Sequence, residues 1–338
     1  MIITRTPFRI SFAGGGSDLK NYYEKFGGAV VSVSINKYIY LSMHPYFDEN
    51  AYLLKYSKTE QAKSSDEIQH PIIKDLFKKY NITGVDFNSS ADIPSGTGLA
   101  SSSAFTVGLI NLCNAYTDKY MNKTDIAELA CQVEIDDLNE PIGKQDQYAC
   151  ACGGLNFIEF YKDGVVDVEK LYLQTDAYHV LEKNLLMFYT GLTRSAGSIL
   201  AEQKKNTSYD ESKIRNLHKM VGLSRDLKIE LLKGNTNAMG EILHRGWMYK
   251  KELANGITNP DIDYCYNLAI ENGALGGKLL GAGGGGFLLF YVEEQYHSKV
   301  RRALSKLKEI DFKFDNKGAN IIHYDKVDLY RSQKCLTI

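Results

Sequence analysis

The segment DIPSGTGLASSSAF places three consecutive serines, Ser101, Ser102 and Ser103, shortly after two glycines, Gly96 and Gly98. A strand pattern precedes this segment, called the serine loop, and an apolar helix pattern follows it, so the serines fall at a helix N-terminus. The glycines let successive backbone N–H groups point one way, and a helix N-terminus favours an anion. The segment therefore predicts a nest for phosphate oxygens. The alternative is that the serines only cap the helix, as serine often does.

The serine loop lacks the lysine of a P-loop. The Walker pattern G-x-x-x-x-G-K-[ST] is not matched, because the two glycines are too close together and no lysine follows them. Positive charge for a phosphate must therefore come from Mg²⁺ or from another part of the chain. One candidate is Arg9, which interrupts the apolar strand pattern of TPFRISFAGGGSDL. A buried guanidinium needs a carboxylate or phosphate partner, whereas an exposed edge strand would leave Arg9 in solvent.

Two carboxylates could act on a phosphate held by this loop. Glu134 follows Ala130 by four residues and Ile126 by eight, so it lies at the border of an apolar helix stripe and can face inward as an Mg²⁺ ligand. Asp146, in GKQDQYA, could pair with Arg9 and accept a proton from an attacking hydroxyl. It could equally be a helix N-cap. Three neighbouring acids are predicted to be solvated helix charges: Asp136, Asp137 and Glu140.

A glycine run in KLLGAGGGGFLLF satisfies the dinucleotide pattern G-x-G-x-x-G at Gly281, Gly283 and Gly286. That pattern needs a helix after its glycines, whereas FLLFYV has the character of a strand, so we interpret the run as the tip of a hairpin. Each glycine costs about 0.5–1 kcal/mol of backbone entropy relative to alanine. We therefore expect this glycine hairpin to pack against the serine loop or to line a cleft between domains.

The elements that must position these groups begin with strands. The first part of the chain has strand patterns at residues 2–13, 29–44 and 51–56, predicted to be antiparallel neighbours, and at 84–93 before the serine loop. An apolar helix pattern follows the serines. A second helix is predicted to begin near Thr124, with Asp125 and Glu128 as a capping pair.

Long amphipathic helix patterns follow, and the domain change is predicted between about residues 175 and 195. The last part shows a helix at 261–272, strands at 277–280 and 287–292, a helix at 294–309, and strands near Phe312 and Ile321. This order resembles a ferredoxin-like α/β sandwich.

Composition limits the function classes. The 338 residues are 44% hydrophobic, which predicts a globular protein of about two domains. Forty basic residues against 41 acidic ones give no overall field for nucleic acid or an anionic membrane, so neither is expected as a partner. The sequence has no signal-peptide pattern and no apolar run of about 18 residues, which predicts a cytoplasmic protein. The six scattered cysteines are interpreted as reduced structural thiols.

Three motifs in a fixed order resemble those of the GHMP kinase superfamily: TPFRISFAGGGSD, PSGTGLASSSA and GAGGGG. The resemblance spans essentially the whole chain. It implies a two-domain α+β fold, with a ribosomal-protein-S5-domain-2-like N-terminal domain at residues 1–180 and a ferredoxin-like C-terminal domain at 181–338. It also implies ATP and Mg²⁺ as cofactors, with the nucleotide triphosphate held by the second motif: Pro94, Gly96, Gly98, Leu99, Ala100, Ser101, Ser102 and Ser103.

The resemblance assigns roles to the candidate residues as well. Asp146 matches the catalytic aspartate and Arg9 the arginine that pairs with it in the sugar kinases. Ser102 and Glu134 match the Mg²⁺ ligands, so that Mg²⁺, backbone amides and Arg9 would replace the Walker lysine. Asp18 matches an acid that contacts sugar hydroxyls. Further residues are predicted to line the acceptor site: Gly15, Gly16, Ser17, Lys144, Arg194, Gly283 and Gly284.

Departures from the family pattern narrow the acceptor. Galactokinases carry a Glu-His pair where this chain has Gly15 and Gly16, which argues against galactose. The stretches FAGGGSD, GKQDQYA and FYTGLTRSA are most like the bacterial D-glycero-D-manno-heptose 7-phosphate kinases, which phosphorylate the anomeric oxygen. Such an acceptor needs a second anion cradle, for which Arg194 and Lys144 are the candidates. Ala100 replaces a usual glycine.

Two alternatives and one unknown remain from the sequence. A fucose-type kinase of the same fold would keep every motif and change only the acceptor pocket. A non-enzymatic sugar sensor is disfavoured, because Arg9, Ser102, Glu134 and Asp146 are all present. The oligomeric state is not fixed, and a homodimer is open.

Overall fold

The computed structural model describes residues 1–191 and 196–325, which form two sheets with helices around them. The first sheet has eight strands: β1 (Ile2–Ala13), β2 (Gly28–Pro45), β3 (Tyr52–Lys55), β4 (Thr59–Ala62), β5 (Val85–Ala91), β6 (Leu155–Phe160), β7 (Val166–Lys170) and, from the end of the described chain, β12 (Asn320–Tyr324). The second sheet has four strands: β8 (Leu185–Tyr189), β9 (Ala274–Leu279), β10 (Phe287–Val292) and β11 (Lys308–Glu309).

The long strand β2 organises the first sheet. One side of it pairs with β1 along almost its full length. On the other side its first residues pair with β6 and its last residues with β5. The predicted antiparallel pairing of β1 with β2 is confirmed, but β3 was wrongly placed beside them. It pairs in parallel with β5 instead, a contact between residues more than 30 positions apart that no local pattern encodes.

Eleven α-helices are present in the described residues. Their bounds are α1 (Lys20–Phe26), α2 (Pro71–Tyr80), α3 (Ser101–Tyr116), α4 (Lys123–Cys131), α5 (Gln145–Cys152), α6 (Thr175–Lys183), α7 (Ala196–Tyr209), α8 (Glu211–Leu232), α9 (Ala238–Lys251), α10 (Pro260–Glu271) and α11 (His297–Ala303). Short 3₁₀ turns lie at Ser65–Glu67 and Glu294–Tyr296, and a π-helical segment follows α4 at Gln132–Asp137.

Helix α3, which begins in the serine loop, is central to the first part of the chain. Twelve of its 16 residues are buried, because it packs against β1, β2 and α5. A helix covered on nearly all sides is held rigidly, so its N-terminus has a fixed position. Helix α4 begins at Lys123, close to the prediction. Its cap is the Asn122 side chain, which accepts from the Asp125 N–H, so the predicted capping pair of Asp125 and Glu128 was wrong.

The second sheet has the strand order β11-β8-β10-β9 with every neighbouring pair antiparallel. This is the ferredoxin-like arrangement that the sequence predicted, with four helices, α7 to α10, inserted between its first two strands. The chain then returns to the first sheet: β12 pairs with β1, and Phe314 bridges to Ile35. The domain change between 175 and 195, with its division into residues 1–180 and 181–338, stays a prediction; β8 lies within that window.

Other details differ from the sequence predictions. The helix expected at 294–309 is only α11 after its 3₁₀ turn, and no regular strand forms at Phe312. Cys150 and Cys152 are both free thiols. Among the described residues, no helix is both long enough and apolar enough to cross a membrane.

Candidate active site

A cleft of about 360 Å³ lies between the two sheets and receives residues from both. β1 contributes Arg9 and Ser11, the glycine hairpin closes the cleft from the second sheet, and α3 points its N-terminus into it. Most of the predicted site residues line this one space: Arg9, Gly15, Gly16, Asp18, Gly96, Gly98, Ala100, Ser101, Ser102, Ser103, Asp146 and Gly283.

Arg9 and Asp146 form a bidentate ion pair in the wall of the cleft. Arg9 Nε donates to Asp146 Oδ1 at 2.8 Å and Arg9 Nη2 donates to Oδ2 at 2.8 Å. The third arm of the guanidinium, Nη1, donates to the Gly98 carbonyl oxygen at 2.8 Å. Arg9 is only 4% exposed, so it does not lie in solvent on an exposed edge strand. Asp146 lies in the first turn of α5 and is not its N-cap, which is Lys144. The fork geometry fixes the carboxylate beside the serine loop.

The serine loop and the glycine hairpin touch through their backbones. A Cβ atom built on Gly281 would lie 2.3 Å from Gly98 Cα, and one built on Gly286 would lie 2.3 Å from the Thr97 carbonyl oxygen. Only residues without side chains allow such an approach, which is the reason for the glycines. The predicted hairpin is confirmed, because β9 and β10 pair on either side of it.

The serines at the start of α3 do not cap the helix. Ala100 occupies the N-cap position in the left-handed region, at φ +66°, and none of the serines caps the helix. A left-handed alanine costs roughly 1–2 kcal/mol, and strain of this kind collects at functional sites. The N–H groups of the first turn are therefore left free to face the cleft.

Glu134 lies behind Ser102 and is held there by two donors. Ser102 Oγ donates to Glu134 Oε1 at 2.7 Å, and Gln147 Nε2 donates to Oε2 at 2.7 Å. Burial raises the pKa of this carboxyl group, although these hydrogen bonds oppose the shift. Glu134 belongs to the π-helical segment, where the wider turn displaces side chains from an α-helical stripe, and such segments are frequent at functional sites.

Asp18 is the second carboxylate that reaches the cleft. The Gly16 N–H donates to its Oδ1 at 2.8 Å and the Gln145 N–H to its Oδ2 at 3.3 Å. These bonds connect the first motif to the segment that carries Asp146. Burial, and then the charge of Asp146, raise the pKa of Asp18. Gly143 allows the contact, because a Cβ there would lie 2.1 Å from Asp18 Oδ2.

Comparisons with known proteins agree with this geometry. The model for the GHMP kinases N terminal domain matches residues 68–154, and the model for the GHMP kinases C terminal domain matches residues 227–310. The D-glycero-alpha-D-manno-heptose 7-phosphate kinase of Campylobacter jejuni is 32% identical over 336 residues, which cover 94% of this chain and 97% of that protein. The chain belongs to the GHMP kinase family. It is a phosphotransferase with an alcohol group as acceptor.

Solved structures of GHMP kinases share the fold. A D-glycero-D-manno-heptose 1-phosphate kinase from Bacteroides thetaiotaomicron is 24% identical with a TM-score of 0.80, covering 96% of this chain and 100% of that one. Lactococcus lactis galactokinase is 16% identical with a TM-score of 0.73, covering 95% and 94%. The predicted two-domain α+β fold of this family is confirmed.

Several residues predicted for the site of this GHMP kinase do not line the cleft. Pro94 and Leu99 are outside it, and the Ser17 hydroxyl is buried against the Ala29 backbone. The Lys144 ammonium donates to Glu128 at 3.0 Å and to the Gly164 carbonyl oxygen at 3.2 Å, and the Gly284 N–H donates to Ile257. Ser17, Lys144 and Gly284 are thus held by partners outside the cleft. Arg194 lies outside the described residues.

Two lysines that line the cleft were not predicted from the sequence. Lys250, at the end of α9, and Lys278, in β9, are 8% and 6% exposed. The sequence pattern could have indicated both. Lys250 follows Leu243 by seven residues and Trp247 by three, so it lies on an apolar helix stripe. Lys278 interrupts an apolar strand pattern, as Arg9 does. Gly281, Ala282 and Gly285 also line the cleft, as expected for the glycine hairpin. The other lining residues were not predicted: Ser11, Leu19, Glu140, Ile142, Gly143, Gln145, Leu200, Gln203 and Leu280.

Proposed function

We propose that this GHMP kinase transfers the γ-phosphate of ATP to the anomeric hydroxyl of a sugar, with D-glycero-D-manno-heptose 7-phosphate as the acceptor and the 1,7-bisphosphate as the product. The observation that carries the proposal is the Arg9–Asp146 pair, fixed at 2.8 Å beside the free N–H groups of the serine loop. It sets a carboxylate next to an anion cradle in one cleft, as phosphoryl transfer to a hydroxyl requires.

Each residue then has a definite task. The amides at the start of α3 bind phosphate oxygens of ATP. Asp146, held by Arg9, accepts the proton of the attacking hydroxyl while the bond between that oxygen and the γ-phosphorus forms. The bond from phosphorus to the bridging oxygen breaks, and ADP leaves. Asp18 accepts hydrogen bonds from sugar hydroxyls and so orients the acceptor.

Ser102 and Glu134 fit the requirements of Mg²⁺. Their oxygens are hard donors, they lie 2.7 Å apart, and Glu134 is a buried carboxylate directly behind the anion cradle. Within the described residues, no group of three or more His, Cys, Asp or Glu side chains forms a metal site. Mg²⁺ does not need one, because it is commonly held by one or two carboxylates together with substrate phosphates. Bound there, it would neutralise charge on the β- and γ-phosphates.

The choice of acceptor rests on two observations. The relative with 32% identity over nearly the full length is named for heptose 7-phosphate. In addition, Gly15 and Gly16 line the cleft near Asp18 and carry no side chain that could bind a sugar hydroxyl. Since Lys144 is engaged by Glu128, Arg194 is the remaining candidate for the distal phosphate of the acceptor.

The test is an ATP consumption assay against a panel of sugars and sugar phosphates, with wild type beside Asp146→Asn. Turnover on the heptose 7-phosphate and a loss in the variant of about 10²–10⁴-fold in kcat support the proposal. ATP affinity should be unchanged in the variant, because Asp146 does not belong to the anion cradle. Turnover only on fucose or another unphosphorylated sugar would replace the acceptor. ATP and sugar binding without any turnover would favour a sensor.

A further inference from the structure

The proposed chemistry leaves a buried cation in the cleft without a task. Lys250 enters the cleft from α9 and is 8% exposed. Its ammonium group donates to the Gly281 carbonyl oxygen. Among the described residues this is its one hydrogen-bond acceptor, and no carboxylate lies within ion-pair distance. A buried ammonium has three donors and is costly without an anion, so the arrangement indicates that an anionic ligand completes it.

The position of Lys250 identifies the part of the cleft that this anion occupies. Gly281 is the residue whose backbone touches Gly98, and the Gly98 carbonyl oxygen accepts from Arg9. The ammonium therefore lies at the contact between the serine loop and the glycine hairpin, near the Arg9–Asp146 pair. Electrostatic coupling agrees: after burial, the groups that shift the pKa of Lys250 are Arg9, Asp146 and Asp18.

We propose that Lys250 is a further catalytic residue, which binds the transferring phosphoryl group and supplies the positive charge that a P-loop takes from its own lysine. This inference rests on the proposed kinase function. The ammonium stays protonated throughout: the acceptor oxygen bonds to phosphorus, the bridging oxygen leaves with ADP, and the acceptor's proton passes to Asp146. Lys250 only stabilises charge on the oxygens of the phosphoryl group.

The acceptor's own phosphate is the other anion that Lys250 could meet. Position argues against it. In a heptose 7-phosphate the phosphate lies at the far end of the sugar from the anomeric oxygen, whereas Lys250 lies beside the residues proposed to act on that oxygen. Lys278 is a poorer candidate than Lys250, because its ammonium already donates to the Ser11 and Phe12 carbonyl oxygens at 2.8 and 3.0 Å.

The first test is Lys250→Met, with Lys251→Met as the matched control. Lys251 is the next residue of the same helix, and its ammonium contacts Asp263 at 3.4 Å outside the cleft. We expect Lys250→Met to lower kcat by about 10²–10³-fold, the usual effect of removing one charge-stabilising donor. The KM of the acceptor and the affinity for a fluorescent ATP analogue should stay within about threefold, and Lys251→Met should match wild type. Circular dichroism checks that both variants fold.

A pH profile gives a readout that a structural role would not move. Burial, and then the positive charge of Arg9, lower the pKa of Lys250 to about 8, and Lys278 and the carboxylates of Asp146 and Asp18 also face it. The wild-type kcat/KM should therefore fall above pH 8, and this alkaline decline should be absent in Lys250→Met. In Lys250→Cys, alkylation with bromoethylamine rebuilds an amine of nearly the same length and should restore activity, with wild type treated in parallel.

The outcomes separate the two proposals. If wild type turns over a sugar but Lys250→Met does so within threefold of its kcat, only the role of Lys250 is overturned. A raised acceptor KM with unchanged kcat would also overturn it, in favour of the acceptor's phosphate. If wild type consumes ATP with no acceptor of the panel, the proposed function fails, and the lysine's role in it fails with it.

Discussion

The contact between the two glycine-rich segments can be tested by one methyl group. In Gly281→Ala, the added Cβ would lie 2.3 Å from Gly98 Cα, whereas ordinary van der Waals contact begins at 3.4 Å. The hairpin and the serine loop must therefore move apart by about 1 Å. That movement shifts the Gly281 carbonyl oxygen, which accepts from Lys250, away from the Gly98 carbonyl oxygen, which accepts from Arg9. A misplacement of about 1 Å in an active site can lower the rate by about 100-fold.

The conformational cost of alanine needs a control of its own. Gly281 has φ +74° and Gly256 has φ +75°, but a Cβ on Gly256 meets nothing within 4 Å. Both alanines incur the left-handed penalty of roughly 1–2 kcal/mol, partly offset by the lower entropy of the unfolded chain. Urea unfolding should show that loss in both variants, with an added penalty in Gly281→Ala of about 1–3 kcal/mol from overpacking.

Steady-state kinetics then decide the matter. We expect Gly281→Ala to lose about 100-fold in kcat and Gly256→Ala to keep the wild-type value. Equal losses in the two variants would show that backbone strain, and not the contact with Gly98, sets the activity. A Gly281→Ala enzyme with full kcat would refute the argument that this contact positions the catalytic groups.

Two further predictions concern groups buried at the site. Glu134→Gln should raise the Mg²⁺ concentration for half-maximal activity at least about tenfold, because a neutral amide replaces the carboxylate, and a Mg²⁺ titration of kcat measures this. Lys250→Met should stabilise the fold at pH 7 by up to about 3 kcal/mol, because burial lowers the lysine pKa from 10.5 to about 8. The full gain in the free energy of unfolding is present below pH 8, and it declines as pH rises from 8 towards 10.5. Urea unfolding of the variant and wild type at pH 7 and at pH 10 should show this difference.

Local patterns were sufficient where one element carries the information. The period of β1 predicted its bounds. The cost of burying a guanidinium predicted a carboxylate or phosphate partner for Arg9 if it is buried, and the structure provides Asp146. The glycine hairpin was predicted for the same kind of reason, since a run of glycines between two apolar strands is costly unless the backbone turns tightly or approaches another segment closely.

The remaining features depend on contacts that a linear pattern does not contain. The parallel pairing of β3 with β5 and the return of β12 to β1 are set by packing across the whole chain. The inward position of Glu134 was predicted from its helical spacing, but the π-helical segment that carries it was not, because nothing in QVEIDD distinguishes it from an α-helix. Lys250 could have been predicted from the sequence. A positively charged side chain within an apolar pattern needs an anionic partner when buried, and this argument applies to Lys250 as it does to Arg9.

In the proposed site, the positive charge that the serine loop lacks is supplied from the second sheet and its helices. The carboxylates Asp18 and Asp146 come from the first part of the chain, whereas Lys250 and Lys278 come from the second. After burial, mutual repulsion among Lys250, Lys278 and Arg9 lowers the pKa of Lys278. Arg9, from the first part, is held beside these lysines only while the two parts are docked, and a bound phosphate would relieve their repulsion. In the proposed function, binding of the donor would therefore stabilise the docked arrangement, and the affinity for ATP would be linked to the stability of the interface.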